Sequence, residues 1–326
     1  MAALLEVEDL QVSYRADRGD LAILNGVSLR VSPGETIGVV GESGSGKTVL
    51  VRAILGLLEA PFSADSGTIR FQGKNLLGMR ERDLAKIRGR EISMTTPEPR
   101  KHLNPLITIG RQMVSIIQAH AKVPRKEAID QSAELLRSVG IPDPALRLAS
   151  YPHELSGGMC QRVIIAMALA HNSKILLIDE PTAGLDVTIA RQILDLIGDL
   201  VRQRQVAVLL VSRDLGVVAH YCQQVAVMYA GRIVEQASVS SFFHQPIHPY
   251  STQLLRAAAA ARDRGHAETR ATAPLLPADR GCAYAGRCAL AQPACRETAP
   301  ALEVHGAGHL VRCWRSHELA RGGVAA

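Results

Sequence analysis

Residues 36–48 read Thr36-Ile37-Gly38-Val39-Val40-Gly41-Glu42-Ser43-Gly44-Ser45-Gly46-Lys47-Thr48. An apolar, strand-length run leads straight into G-x-x-x-x-G-K-T, and residues 47–58 then carry a helical pattern. This is a complete phosphate loop in the strand–loop–helix context that the motif needs. Its glycines let consecutive backbone N–H groups curl around phosphate oxygens, and the helix N-terminus adds positive potential. Gly41, Glu42, Ser43, Gly44, Ser45 and Gly46 form the expected cradle. Lys47 is expected to reach the β- and γ-phosphates and Thr48 to ligate Mg²⁺.

Two further stretches point to the same chemistry. Ile175-Leu176-Leu177-Ile178 is an apolar strand that ends in Asp179 and Glu180. Asp179 is placed to hold Mg²⁺, and Glu180 to polarise an attacking water. Leu155-Ser156-Gly157-Gly158 opens a helix and offers a second backbone site for an anion. One phosphate loop plus a second phosphate-binding helix start suggests a composite site shared between two subunits. Elsewhere strands (4–14, 28–31, 66–72, 206–211) alternate with helices (125–139, 161–170, 188–204), and a hairpin pairs 225–228 with 232–235. That alternation predicts an α/β fold with a largely parallel sheet and ligands at the strand C-termini.

The 326 residues are 47% hydrophobic, enough for full-sized cores, and the net charge is +6. That charge is spread over many segments and aromatic content is 3%, which is poor for base stacking, so no nucleic-acid partner is expected. No apolar run approaches the ~18 residues of a membrane span, and the N-terminus shows no basic-then-apolar leader. A soluble, cytoplasmic protein is expected, with any membrane role supplied by a partner. Cys160 and Cys222 read as small core or surface residues, whereas Cys282, Cys288, Cys295 and Cys313 crowd the C-terminus. An alanine run at 257–261 and a Pro-, Gly- and Arg-rich stretch to Arg280 precede them. The expected division is a nucleotide-binding domain, 1–240, and a cysteine-bearing module, 241–326. Reducing conditions disfavour disulfides there, which leaves an iron–sulfur cluster, zinc or structural thiols, although the spacings are wider than C-x2-C.

LSGG ahead of ILLIDEP, followed by Gly184-Leu185-Asp186, resembles the ATP-binding subunits of ABC transporters. The resemblance implies a P-loop NTPase of ABC type: a RecA-like core, an antiparallel β subdomain and a helical signature subdomain. Ser156, Gly157 and Gly158 of one subunit would cap the γ-phosphate of ATP held by the other, and Tyr14 matches the aromatic that stacks on adenine. Leu155–Leu169 (LSGGMxQRVxIAMAL), LNP at 103–105, DLGVVA at 214–219, VMYAGRIVE at 227–235 and HPY at 248–250 resemble more narrowly the dipeptide, oligopeptide and nickel importers. LSGGM is similar to the first of two unlike ATPases in those systems. The implied partners are a second, unlike ABC ATPase, two transmembrane permease subunits and an extracytoplasmic substrate-binding protein. The implied location is peripheral, on the cytoplasmic face of the inner membrane. Cofactors implied are ATP, Mg²⁺ and a [4Fe–4S] cluster on the four tail cysteines, with zinc as the alternative.

The chain departs from this family twice. Met94-Thr95-Thr96-Pro97-Glu98-Pro99 stands where the family has M-x-F-Q-[DE]-P, so Pro97 replaces the glutamine that contacts Mg²⁺ and water. Arg213 replaces the histidine of T-H-D, and arginine holds phosphate but does not shuttle protons near neutral pH. The expectation is a site that binds ATP but hydrolyses it slowly, with LSGG completing the partner's site. A nickel or metal-chelate importer and a non-catalytic regulatory subunit are the alternatives. Residues 95–105, with Arg100, Lys101 and His102, are the expected docking segment for a permease helix.

Overall fold

The computed structural model describes residues 3–16, 19–264, 280–306 and 308–322. They form two compact units, one of Met1–Val31, Thr36–Leu77 and Leu210–Ala326, the other of Ser32–Glu35 and Gly78–Leu209.

The first unit opens with β1 (Leu5–Tyr14), β2 (Leu21–Val31), β3 (Thr36–Val40), α1 (Lys47–Ile54), β4 (Phe62–Phe71) and β5 (Lys74–Asn75). A four-stranded antiparallel sheet takes the order β2-β1-β4-β5. Leu5, Val7, Leu10 and Val12 of β1 are buried, and the alternation slips by one residue between Val7 and Leu10. A bulge at Asp9 (φ 45°) causes the slip, re-aiming the strand so that both halves face the core. Strand β2 starts at Leu21, paired with Tyr14 of β1 and well before the expected 28; Asn25 and a positive-φ Gly26 interrupt the period-two pattern and hide its first half. Helix α1 stops at Ile54 instead of 58. Gly56 ends it, with Gly56 N–H donating to Ala53 O (3.0 Å) and Leu57 N–H to Arg52 O (2.8 Å).

The second unit holds α2 (Glu81–Leu84), β6 (Ile92–Thr95), α3 (Pro99–His102), α4 (Ile109–His120), α5 (Arg125–Ser138), α6 (Pro144–Ala149), α7 (Gly157–Ala168), β7 (Ile175–Asp179) and α8 (Val187–Arg204). β6 and β7 pair in parallel, and every residue of β7 is buried, as an apolar run with no polar alternation requires. Val114 and Ile117 of α4 pack on Ala128 of α5. Strand β8 (Ala207–Ser212) returns the chain to the first unit.

There α9 (Leu215–Tyr221), β9 (Gln224–Tyr229), β10 (Arg232–Ser238), α10 (Val239–His244), α11 (Pro249–Arg264), α12 (Ala294–Glu297), β11 (Glu303–His305), β12 (His309–Val311) and α13 (Ser316–Gly322) follow. β3 runs parallel to β9, but β9, β10, β12 and β11 are mutually antiparallel neighbours. The sheet is therefore more mixed than expected, because Ala230 and Gly231, both at positive φ, turn β9 back as a tight hairpin. Tail side chains Phe242, Tyr250 and Tyr284 share a core with Val40, Val225 and Val227. The alanine run begins within α11, whereas residues 265–279 of the Pro/Gly/Arg-rich stretch lie outside the described residues. Among the described residues no helix is long and apolar enough to cross a membrane.

Helix α9 packs tightly on β3 at Gly38. A Cβ there would lie 2.7 and 2.8 Å from the two methyls of Val218, which is β-branched and stiff. Gly38→Ala is expected to cost about 1–3 kcal/mol by overpacking. Urea unfolding of the purified chain measures it, and an unchanged midpoint would show that α9 yields freely.

Candidate functional site

The phosphate loop is held from beneath by its own lysine. Lys47, only 5% exposed, donates from Nζ to Gly41 O (2.8 Å), Glu42 O (2.8 Å) and Ser45 Oγ (3.2 Å). A Cβ on Gly41 would drive into the carbonyl oxygen of Met228, and one on Gly46 (φ 102°) would sit 2.8 Å from Leu24 Cδ2. Only glycine fits either position. Gly231 N–H donates to Ser45 O (3.0 Å) and Asn25 N–H to Gly231 O (2.8 Å), so β2 and the β9–β10 hairpin both seat the loop. Ser43 and Gly44 are exposed at its crest, and Thr48 is half-buried in the first turn of α1. Gly46 caps α1 without a side chain, so no side-chain oxygen occupies the helix N-terminus. A buried ammonium beside a glycine-rich turn that leads into a helix N-terminus suits a polyphosphate.

Glu42 brings in residues far away along the chain. Its backbone N–H donates to Tyr250 Oη (3.0 Å) across 208 residues. Its carboxylate accepts a two-pronged bond from Arg287, with Nη1–Oε2 at 2.8 Å and Nη2–Oε1 at 3.0 Å, across 245 residues. The same guanidinium stands 5.8 Å from the Tyr229 ring centroid and 6.0 Å from that of Tyr284. The Glu42 carboxylate raises the Arg287 pKa still further, and burial pushes the Tyr250 hydroxyl above its ordinary range.

Tyr250 is aimed by a buried carboxylate. Glu235 is fully buried; its Oε1 accepts from Ile247 N–H (2.8 Å) and stands 2.6 Å from His309 Nε2, while Oε2 accepts from His248 N–H (2.8 Å). His248 Nδ1 accepts in turn from Tyr250 N–H (3.1 Å). Burial lowers the His248 pKa to about 4, which keeps the ring neutral and Nδ1 an acceptor. Of the other expected residues in this unit, Tyr14 is 37% exposed, with its ring edge-on to Phe62 at 5.2 Å. Arg213 is exposed between β8 and α9, just before Asp214, which caps α9 by accepting from Gly216 N–H (2.7 Å).

In the second unit Asp179 is fully buried at the end of β7, and Glu180 follows at φ 43°. Ser156 caps α7, its Oγ accepting from Met159 N–H (3.2 Å). A Cβ on Gly158 would lie 2.7 Å from Ile189 Cγ2, so that glycine lets α7 start flush against α8, while Gly157 is less constrained. Pro97 is half-buried between β6 and α3. Arg100 is exposed, yet its Nη2 donates to Leu155 O (3.0 Å) beside the Ser156 cap. Lys101 instead pairs with Glu98 (2.8 Å) and His102 is exposed.

The tail cysteines require a correction. Among the described residues, ligand atoms of three or more His, Cys, Asp or Glu side chains gather within 4.8 Å only at Glu303, His305 and His317, and no cysteine belongs to that group. Cys282, Cys288, Cys295 and Cys313 are free thiols. Cys282 and Cys288 pack against the core of Tyr229, Phe242 and Tyr284, and Cys313 against Ile247, Val311 and Leu319. Burial raises the pKa of Cys282 and Cys288 and pushes Cys313 up to about 11, so these side chains are protonated thiols. The [4Fe–4S] expectation, and zinc on the same residues, is therefore withdrawn. Thiols are small apolar side chains as readily as ligands, and spacing alone does not separate the two uses.

Comparison with known proteins points to one family. Residues 24–183 match the family described as ABC transporter, and residues 234–295 match the oligopeptide/dipeptide transporter C-terminal region. The chain is 45% identical over 322 residues to a probable peptide ABC transporter ATP-binding protein of Sinorhizobium fredii, covering 97% of this chain and 96% of that one. It is 41% identical over 320 residues to the oligopeptide transport ATP-binding protein OppD of Bacillus subtilis, covering 96% and 89%. A solved dimeric ATP-binding cassette in a post-hydrolysis state with ADP and phosphate is similar in fold, with TM-score 0.66 at 24% identity over 72% of this chain and 98% of that one.

The neutral, buried His248 makes stability depend on pH. An unfolded chain takes up this proton near pH 6.5 and the folded chain only near pH 4. Stability is therefore lost as pH falls through that window, by up to about 3 kcal/mol. His248→Asn retains an acceptor without the titration. The stability of wild type relative to this variant should drop by that amount between pH 7 and 4 in urea unfolding, and a constant difference would refute the assignment.

Proposed function

The chain belongs to the ATP-binding subunits of the peptide and oligopeptide ABC importers, and we propose that it energises the uptake of di- or oligopeptides through separate permease subunits. It is an ABC-type ATPase, a family in which ATP hydrolysis is coupled to transport. The observation that carries the peptide reading is the match of residues 234–295 to the oligopeptide/dipeptide transporter C-terminal region, in the same chain as an intact phosphate loop. The functional division we adopt is a nucleotide-binding domain, 1–240, followed by the tail, 241–326. The working assembly pairs this chain with a second, unlike ATPase beneath two permeases on the cytoplasmic face of the membrane, fed by an extracytoplasmic binding protein. This chain is the first, LSGGM-bearing member of that pair.

ATP is the substrate. Backbone N–H groups of Gly44, Ser45, Gly46, Lys47 and Thr48, with the Lys47 ammonium, hold its phosphates, and Tyr14 stacks on its adenine. Thr48 and Asp179 hold Mg²⁺, which neutralises charge between the β- and γ-phosphates. Glu180 accepts the proton of the attacking water. Ser156, Gly157 and Gly158, at the start of α7, face the γ-phosphate of the partner's ATP. Arg100 links the docking segment to that signature, because its guanidinium bonds the carbonyl next to Ser156.

Hydrolysis in this scheme is uneven. Pro97 brings no amide to orient water, and Arg213 stays cationic where a histidine would exchange a proton. A loss of ~10³-fold at this chain's own site corresponds to roughly 4 kcal/mol of transition-state stabilisation. In proteoliposomes holding the whole transporter, Glu180→Gln is expected to leave peptide uptake within about tenfold of wild type, a barrier change near 1.4 kcal/mol. The equivalent substitution in the partner should abolish uptake. Equal collapse in both would overturn the asymmetry, and failure of peptides to stimulate the wild-type assembly would overturn the peptide assignment.

A further inference from the structure

The hairpin near the C-terminus carries a ligand set that nucleotide chemistry does not use. Glu303 and His305 are two apart on β11, and so share one face of the strand. His317 lies in the first turn of α13, whose Leu319 packs with Ile247 and Val311, so the core fixes the orientation in which α13 presents His317. One carboxylate oxygen of Glu303 and one ring nitrogen from each histidine lie within 4.8 Å of one another. Glu303 Oε2 is 3.5 Å from His317 Nε2, and the two imidazole centroids are 4.5 Å apart at a 58° tilt.

An independent sign comes from His305. It is 9% exposed, and its Nε2 is buried with no hydrogen-bond partner. His309, its neighbour across the hairpin, differs, because His309 Nε2 is engaged at 2.6 Å by Glu235. A buried imidazole nitrogen without a partner is costly, and a cation satisfies it. The donor chemistry selects the ion. Mg²⁺ and Ca²⁺ take oxygen ligands, and Cu(I) takes sulfur, whereas two imidazoles with one carboxylate suit Zn²⁺, Co²⁺ or Ni²⁺. Glu303 and His317 are largely exposed, so water reaches the remaining coordination positions.

We propose that Glu303, His305 and His317 bind one divalent transition-metal ion of the zinc class, which clips the β11–β12 hairpin to α13. The site is separate from the nucleotide and independent of the transport reading, since no residue of the phosphate loop or signature enters it. Binding would stabilise the tail in proportion to free metal, as any ligand of the folded state does.

The test uses the full chain, chelator-treated and free of nucleotide, titrated with Co²⁺ alone. One Co²⁺ per chain is expected, with a visible ligand-field spectrum that lacks thiolate charge transfer, displacement by Zn²⁺, and a metal-dependent rise in Tm. His317→Ala alters an exposed side chain, so it should leave the metal-free Tm unchanged while weakening Co²⁺ binding at least ~10-fold. His305→Ala should abolish binding. The proposal is overturned if His317→Ala binds as tightly as wild type, if no stoichiometric binding occurs, or if the spectrum carries a thiolate band that Cys282→Ser and Cys313→Ser remove.

Discussion

A carboxylate with no exposure organises the first unit. Burying Glu235 is expensive unless hydrogen bonds replace the lost water, and three groups do so: the N–H of Ile247, the N–H of His248 and the ring of His309. These groups come from the segment leading into α11 and from β12. Satisfying one side chain therefore fixes where the tail helix departs and where the tail hairpin joins β10. Removal of the carboxylate would strand two backbone donors in the interior, the costlier half of losing a hydrogen bond.

From that anchor the geometry runs outward to the phosphate loop. His248, pinned through its backbone, turns Nδ1 to the N–H of Tyr250, and the Tyr250 hydroxyl meets the backbone of Glu42. Arg287 closes the arrangement from the other side with a paired bond to the Glu42 side chain. Both contacts fall on one loop residue, and the Arg287–Glu42 pair is half-buried against aromatic rings, where charge pairs are screened less than on open surface. The tail is thus part of what shapes the phosphate loop, and strain in one reaches the other through two side chains.

Short, local patterns were legible in the sequence. The phosphate loop, the buried strand ending in Asp179 and the capped start of α7 each depend on residues within a few positions, so their spacing carries their geometry. Glu235 and Tyr250 fall in blocks that mark the family, but their roles, like that of Arg287, were not legible, because their partners lie 74, 208 and 245 positions away. The first half of strand β2 is hidden because Asn25 and Gly26 break its alternation, although the Asn25 N–H is what bonds the β9–β10 turn at Gly231. The cysteines misled for a different reason. Their clustering along the chain is real, but packing against Tyr284, Val311 and Leu319 explains thiols there without a ligand.

Pro97 has consequences beyond the missing amide. A proline fixes its own φ and restricts the residue before it, and a second proline opens α3 two positions later. The segment between β6 and α3 is thereby stiffened just where it delivers Arg100 to the carbonyl of Leu155. That carbonyl adjoins the Ser156 cap, and Gly158 one turn on is packed flush to Ile189 of α8. Proline at 97 supports a rigid path from α3 to the capped start of α7. Ring constraint, guanidinium and cap thus act in series, so the start of α7 is held from the segment before α3 as well as from α8.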